Sequence, residues 1–527
     1  MGSELIPPGL LLNVDLRCQR LLLATDTLND LAVTVRHDGQ RVQLRNLAGR
    51  VWGGRVQGQV EWPTDPDNRV APVQYQLGIR FATLDYEQFV AHLRKPEAPV
   101  APAKGKGAAM PALRDLLLAA NGRLSIDIGH VQLPGDQSLR DVQMRLQKTG
   151  ELLQMPVLRF RTPEGGKGEA TATVQVENLR FVAADADVTL RYATLDVPRL
   201  LALVASLTTP ASAAPTARTQ ARAARRATRK EAQQNTSMVA NGVLSAVLRV
   251  EADEVRYAAI RGTRFRLVSR LLEGEAQLDN CTFDAFQGRI SLRGQMLSTA
   301  DRAHHPAQAQ VQLENLQLSP LFATASAMGL NVLGGDNIRG SLRGVVDLRT
   351  NLGPTFLPDL QTTVGYLKTD FRDLELLNVE VLMEALKFIK AERSSHLVFE
   401  PVSSQFILTN GQLLIPGLRL NSNISSLEVS GRYGLNGRSN LFVGLKPLQA
   451  LFGNNNKRVE RIQEGEPKRN ADRKLTYINL RRDAPGEKYK VRFFQKGEQR
   501  QEQAVLRQQY RALLRTERLD TTMRLGR

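Results

Sequence analysis

The chain has 527 residues, at roughly 150 per domain enough for three to four domains, and its 42% hydrophobic and 24% charged content excludes both a wholly disordered chain and a membrane-embedded bundle. Two cysteines, Cys18 and Cys281, allow at most one disulfide, and the six histidines (His37, His92, His130, His304, His305 and His396) are scattered, so neither a metal nor another cofactor is expected. The formal charge of +18 is confined to three stretches: 20 Lys/Arg against 10 Asp/Glu in residues 457–527, six against one in 208–236 and four against one in 94–107, which leaves the remainder neutral and gives no support to a basic nucleic-acid groove on the folded body.

Residues 1–12 lack a basic n-region, and Pro7 and Pro8 interrupt their apolar stretch, so no signal peptide is expected. Position 6 holds Ile6 where myristoylation needs Ser or Thr. The longest uninterrupted apolar run, residues 200–207, has eight residues and is too short to span a bilayer.

A repeat then organises the chain. Residues 14–62, 126–174 and 248–295 each pass from a strand-like run to a second apolar segment: Leu28-Asn29-Asp30-Leu31-Ala32-Val33, Leu139-Arg140-Asp141-Val142-Gln143-Met144 and Gly262-Thr263-Arg264-Phe265-Arg266-Leu267. Each then reaches a corner, at Gly53-Gly54-Arg55, Gly165-Gly166-Lys167 and Gln287-Gly288-Arg289, where glycine supplies positive φ. A third shared piece follows, Ile79-Arg80-Phe81-Ala82-Thr83-Leu84-Asp85, Leu190-Arg191-Tyr192-Ala193-Thr194-Leu195-Asp196 and, more loosely, Leu313-Glu314-Asn315-Leu316-Gln317-Leu318-Ser319. It leads into helices with Asp85, Asp196 and Ser319 as N-caps. Within the units the period is two: Val56, Val60 and Trp62 alternate with Arg55, Gln57, Gln59 and Glu61; Ala172, Val174 and Val176 with Thr173, Gln175 and Glu177; Val311 and Leu313 with Gln310 and Gln312. That pattern specifies antiparallel strands with one dry and one wet face.

The expected organisation is a first unit at 1–93, a Pro/Ala/Lys linker at 94–112, a second unit at 113–207, a basic disordered insertion at 208–237, a third unit at 238–333, a variant fourth at 334–453 and a basic tail at 454–527. The fold class is mainly β with short helices (α+β), an elongated, repetitive antiparallel sheet forming a curved groove. Residues 374–392 read as one long amphipathic helix with its apolar side in the core. Catalytic signatures are absent: there is no hydrolase elbow, Walker loop, zinc-protease helix or paired CxxC, and the chain reads as no enzyme. The run Asp65-Pro66-Asp67-Asn68 reads as a turn, and Trp52 and Trp62 as core anchors.

Two places resemble the AsmA family of bacterial envelope proteins, in particular its C-terminal region. One is the stretch 44–58 around the double glycine; the other is 407–453, where Thr409-Asn410-Gly411-Gln412, Leu427-Glu428-Val429-Ser430-Gly431 and Val443-Gly444-Leu445-Lys446-Pro447 are similar to the family's closing strands. The resemblance covers roughly residues 10–452. It implies a lipid-handling β-groove, anchored in the inner membrane and facing the periplasm, that moves phospholipid or supports outer-membrane biogenesis, protein assembly and targeting. The chain departs from the family in lacking an N-terminal helix, in starting its first repeat near Met1 and in carrying the basic insertion and tail, and a truncated or split product would account for the first two.

Val56, Val60, Trp62, Val174, Val176, Val311 and Leu313 are therefore the candidate lipid-lining residues, with phospholipid as ligand, the basic segments near anionic head groups and envelope proteins as partners. The alternative is a structural scaffold whose basic tails recruit protein partners or an anionic membrane. Nucleic acid is the least favoured partner: Tyr477, Tyr489, Phe493 and Phe494 among the tail's basic residues form no binding module.

Overall fold

The computed structural model describes residues 11–22, 26–63, 73–86, 88–89, 117–133, 137–177, 180–208, 244–272, 275–297, 305–330, 333–353, 357–386, 389, 391–464 and 475–523. The linker at 94–112, the insertion beyond residue 208, the Asp65-Pro66-Asp67-Asn68 run and His304 lie outside the described residues. The chain is mainly β with short helices, as the period of two predicts. It divides into two compact units, Met1–Glu251 with Arg270–Glu273, and Ala252–Ser269 with Gly274–Arg527.

In unit 1, β1 (Leu11–Leu22), β2 (Thr27–Asp38), β3 (Arg41–Val51), β4 (Gly54–Pro63) and β5 (Gln74–Asp85) form an antiparallel meander. A second meander repeats it: β6 (Asn121–Gln132), β7 (Ser138–Thr149), β8 (Leu152–Arg161), β9 (Lys167–Glu177) and β10 (Arg180–Asp196), followed by helix α1 (Val197–Thr208). The repeat is thus five strands followed by a crossover. One pairing departs from the antiparallel expectation: β5 and β6 are parallel, with Tyr75 opposite Gly122 and Ile79 opposite Ile126. The reason is parity. After five strands the chain points as it did at the start, so a return segment must carry it back before the next meander can begin in the same direction.

The three sequence pieces that define the repeat correspond to three local devices. Asp30, Asp141 and Arg264, one in each second apolar segment, have φ of 53°, 51° and 55°, and Asp373 in the fourth unit has 51°. The ladders slip at Asn29/Ala32, at Arg140/Gln143 and opposite Arg339/Ser341, so Asp30, Asp141 and Asp373 mark β-bulges that twist the second strand of their units, and Arg264 shares their backbone conformation. At the corners, Trp52 and Gly53 have φ of 52° and 80°, Gly165 has 81°, and Phe286 and Gln287 have 53° and 60°. Two consecutive positive values match the right-handed twist of the flanking strands. The second glycine of the first two corners serves a different purpose, since a Cβ on Gly54 would lie 2.5 Å from the Phe81 ring and one on Gly166 2.1 Å from the Tyr192 ring. Those aromatics come from the third shared piece, and they fill the space the glycines leave.

Two of the three expected caps form. Asp85 Oδ1 accepts the amide of Gln88 at 3.0 Å, and Asp196 Oδ1 that of Arg199 at 3.2 Å. Ser319 does not: α2 (Leu318–Ala327) starts two residues earlier, with Gln317 as its cap residue, because Leu318 is fully buried and Gln317 is still tied to the sheet through its amide to Phe286 O.

Unit 2 holds the second part of β11 (Leu244–Tyr257) and most of β12 (Ile260–Leu272), then β13 (Glu275–Ala285), β14 (Gly288–Leu297), β15 (His305–Gln317), α2, β16 (Ile338–Leu352) and β17 (Val364–Leu377). Next come α3 (Glu380–Ala385), α4 (Ala391–Ser394), β18 (His396–Val398), β19 (Val402–Thr409), β20 (Gln412–Asn421), β21 (Ser426–Gly434) and β22 (Ser439–Leu445). It closes with α5 (Pro447–Phe452), α6 (Asn455–Gln463), β23 (Thr476–Arg482), β24 (Lys490–Arg492) and α7 (Lys496–Thr516). The single helix expected over 374–392 is replaced by the end of β17 and two short helices: Asn378 turns left-handed at φ 51°, and α3 ends at Ala385. The apolar residues there do enter the core, with Leu382, Leu386 and Ile389 buried.

The segment 454–527 is likewise not a tail in its described part. β23 is an inner strand between β22 and β24, with Ile478 and Leu480 buried. α7 lays Leu506, Leu513 and Leu514 against Tyr366, Ile407 and Leu414 on one side of the sheet. On the other side, Leu386, Leu397, Phe399, Phe406, Ile415, Ile424, Leu427, Val443 and Leu445 belong to one large core. Both faces of the sheet are covered here, which explains the consecutive apolar residues Phe406-Ile407-Leu408 in β19 and Leu413-Leu414-Ile415 in β20.

Candidate functional site: an uncovered apolar sheet face

The apolar side chains of unit 1 line up in rows across the strands. One row runs through Val56, Ile79, Ile126, Met144, Leu158, Ala170 and Val188, each the ladder partner of the next. A second joins Gly58, Leu77, Leu124 and Leu146, and Met155, Ala172 and Ala186 continue one step from it. A third runs through Val60, Tyr75, Gly122, Lys148, Leu153, Val174 and Ala184. Strand period and ladder register together place every member of a row on one face.

Burial differs along the strands. Toward the crossover end Val56, Ile79, Phe81, Ile126, Ile128 and Val142 are buried, and Leu203 of α1 joins their cluster. Trp52 completes that end: its ring stands edge-on to Phe89 at 5.8 Å and its Nε1 donates to Asp26 Oδ1 at 2.9 Å, an anchor as expected. Toward the other end Val60, Trp62, Leu77, Leu124, Leu146, Leu153, Met155 and Val174 are only half-buried. Among the described residues, the strands of unit 1 contact chiefly their ladder neighbours, and no second sheet faces them. An apolar strip several strands wide thus keeps contact with solvent.

One cation interrupts the strip. Lys148 is buried in the third row, where Gly122 and Leu153 flank it, and Nζ is held by the carbonyl of Gly150. Desolvation pulls its pKa below the usual lysine value, against a smaller opposing pull from Glu151. The opposite face is wet and carries cross-strand pairs of both signs, Arg41 with Glu61 at 2.9 Å, Arg159 with Glu169 at 3.3 Å and Arg80 with Asp127 at 3.7 Å.

All seven sequence candidates lie on apolar faces, in three settings. Val60, Trp62 and Val174 are half-buried on the uncovered strip. Val56 and Val176 are buried, and Val56 belongs to the unit 1 cluster. Val311 and Leu313 are in unit 2 and pack against its filled core. Sequence reasoning missed Leu77, Leu124, Leu146, Leu153 and Met155. Alternation over 74–85, 121–132, 138–149 and 152–161 marks them, but nothing in a sequence says which end of a strand a crossover helix covers.

Unit 2 has an open concavity of about 880 Å³ on the wet side, where Asp284 sits between two guanidiniums. Burial pushes the Asp284 carboxyl up, but hydrogen bonds from Arg289 and Arg264 outweigh it and hold the group below its usual value. Both cysteines are free, and burial pushes the Cys281 thiol up to about 12. Among the described residues no three His, Cys, Asp or Glu side chains are grouped to hold a metal, and no helix is long and apolar enough to cross a membrane. No protein-family model, curated protein or solved structure matches the chain.

Proposed function

We propose that unit 1 is a lipid-handling module whose uncovered apolar strip holds acyl chains. The observation that carries this reading is the continuity of the half-buried rows from Val60 and Leu77 through Leu124 and Leu153 to Val174 with no covering layer among the described residues. Leaving such a strip in water costs about 25 cal/mol per Å², and an acyl chain laid along it removes that cost without a directional contact. The resemblance to AsmA proteins supports the same reading and extends it to an envelope role, phospholipid handling that serves outer-membrane biogenesis. Unit 2 favours a second reading for its own part, a structural one, because its core is closed on both faces of the sheet.

The test is lipid extraction and mass analysis of the full chain purified without added lipid, with a charge-matched β-protein as control. Stoichiometric phospholipid is expected; lipid at the control level removes the acyl-chain reading and leaves the scaffold.

A further inference from the structure

Five large apolar side chains are exposed at one end of unit 2. Leu448 is 74% exposed, Phe452 80% and Phe494 82%, with Leu451 and Phe493 at 36%. Their common location follows from the ladder. Leu445, the last residue of β22, pairs with Thr476, the first of β23, and α5 begins two residues after Leu445. β24 runs back along β23, and the amide of Gln495 donates to Tyr477 O at 3.0 Å, so Phe493 and Phe494 emerge at the same end.

The patch is held rather than frayed. Ala450 anchors α5 in the core, fully buried. Arg393 donates to Leu451 O and Gly453 O at 2.6 Å each and to Asn455 Oδ1 at 2.8 Å, which fixes the C-terminal end of the helix while Leu448 and Phe452 point outward.

Cations surround it. Arg393, Arg458 and Arg461 are close enough that the other two, after burial, lower the pKa of Arg458, and among the described residues Arg461 has an ion pair with Glu400 at 3.0 Å. Lys457, Arg492, Lys496 and Arg500 are exposed at the same end, against the exposed Glu460, Glu464 and Glu498, the last of which is paired with Arg492. Aromatic and leucine tips on a short helix and a strand end, ringed by lysine and arginine, match a bilayer interface. The tips enter the acyl boundary, and the cations stay at the level of the phosphates.

We propose that this end of unit 2, the α5 tip with Phe493 and Phe494, docks on an anionic lipid bilayer. The inference is independent of acyl-chain binding in unit 1.

The experiment is co-sedimentation of the full chain with vesicles of phosphatidylcholine alone and with about one third phosphatidylglycerol. Expected are binding to the anionic vesicles only, and a fall of at least about tenfold in partitioning for Phe452→Ser/Phe494→Ser, which removes two inserted rings. Lys457→Glu/Lys496→Glu should weaken binding as well. Both variants change exposed side chains, so circular dichroism and the thermal midpoint should match the parent chain; Leu448→Ser replaces any variant that does not fold. The proposal is overturned if the parent chain ignores anionic vesicles, binds both kinds equally, or binds undiminished in the phenylalanine variant. The last outcome would assign attachment to other basic segments or to a protein. Lipid extraction from the vesicle-free variant keeps the two ideas apart: co-purifying lipid should be unchanged by Phe452→Ser/Phe494→Ser.

Discussion

Gly166 lies beneath the ring of Tyr192, and a Cβ there would come within 2.1 Å of Cε1. Gly166→Val must therefore displace a buried tyrosine, at an expected cost of about 1–3 kcal/mol read from thermal unfolding. Gly497→Ala, in the first turn of α7 where nothing lies within 4 Å, should be neutral or stabilising by up to about 1 kcal/mol. At the positive-φ residues of the second strands, the pairs Asp30–Arg50, Asp141–Arg161 and Arg264–Asp284 all span 20 positions (50 − 30, 161 − 141 and 284 − 264), with the signs reversed in the third. Geometry is what the repeat maintains there; polarity is free. Arg264→Asp/Asp284→Arg restores the pair with the sign of the other two and should lose less stability, read from the unfolding midpoint, than Asp284→Arg alone, although Arg289 then faces the new guanidinium. Asp284→Arg alone places three guanidiniums together and should cost more. The sign with pH follows from the lowered pKa of Asp284: its contribution is present above about 3.8, the unfolded value, and is lost as pH falls through the folded one.

At the scale of elements, α7 decides what kind of sheet lies beneath it. Its mostly polar sequence carries one stripe, and Leu506 within that stripe is fully buried against the cluster of Tyr366, Ile407 and Leu414. Leu506→Ala should cost about 2–5 kcal/mol, seen as a lower unfolding midpoint and as lost hydrogen-exchange protection in β17, β19 and β20, with β6–β9 unaffected. The parity of five strands is the corresponding rule in unit 1. It lets each meander begin in the same direction and keeps the same side apolar, whatever the intervening segment contains. The strand pattern, the corners and two of the three caps were legible in the sequence, because each depends on neighbours in the chain. The long helix read over 374–392 failed because amphipathic spacing does not reveal that Leu374–Leu377 is already committed to a ladder with β16 and β18.

For the whole molecule, the two units use the same alternating strands to different ends. Val60→Asp and Val174→Asp place a carboxylate on a face that solvent reaches, so they should lower co-purifying lipid with little loss of stability. Val311→Asp packs against the filled core of unit 2 and should chiefly destabilise that unit. Measuring lipid content and unfolding on the three variants separates a lining position from a core one, which alternation alone leaves equal.

The sequence by itself determined the mainly β class, the repeat and its devices, and the absence of catalytic signatures, all of which follow from local spacing and side-chain chemistry. Only the tertiary structure decided which stretches of apolar face are covered. Cover comes from elements distant in sequence: α1 over one end of unit 1, and α7, α3 and α4 on the sheet of unit 2. The same reason hid the docking end, since Leu448, Phe452 and Phe494 belong together only after β22, β23 and β24 have paired.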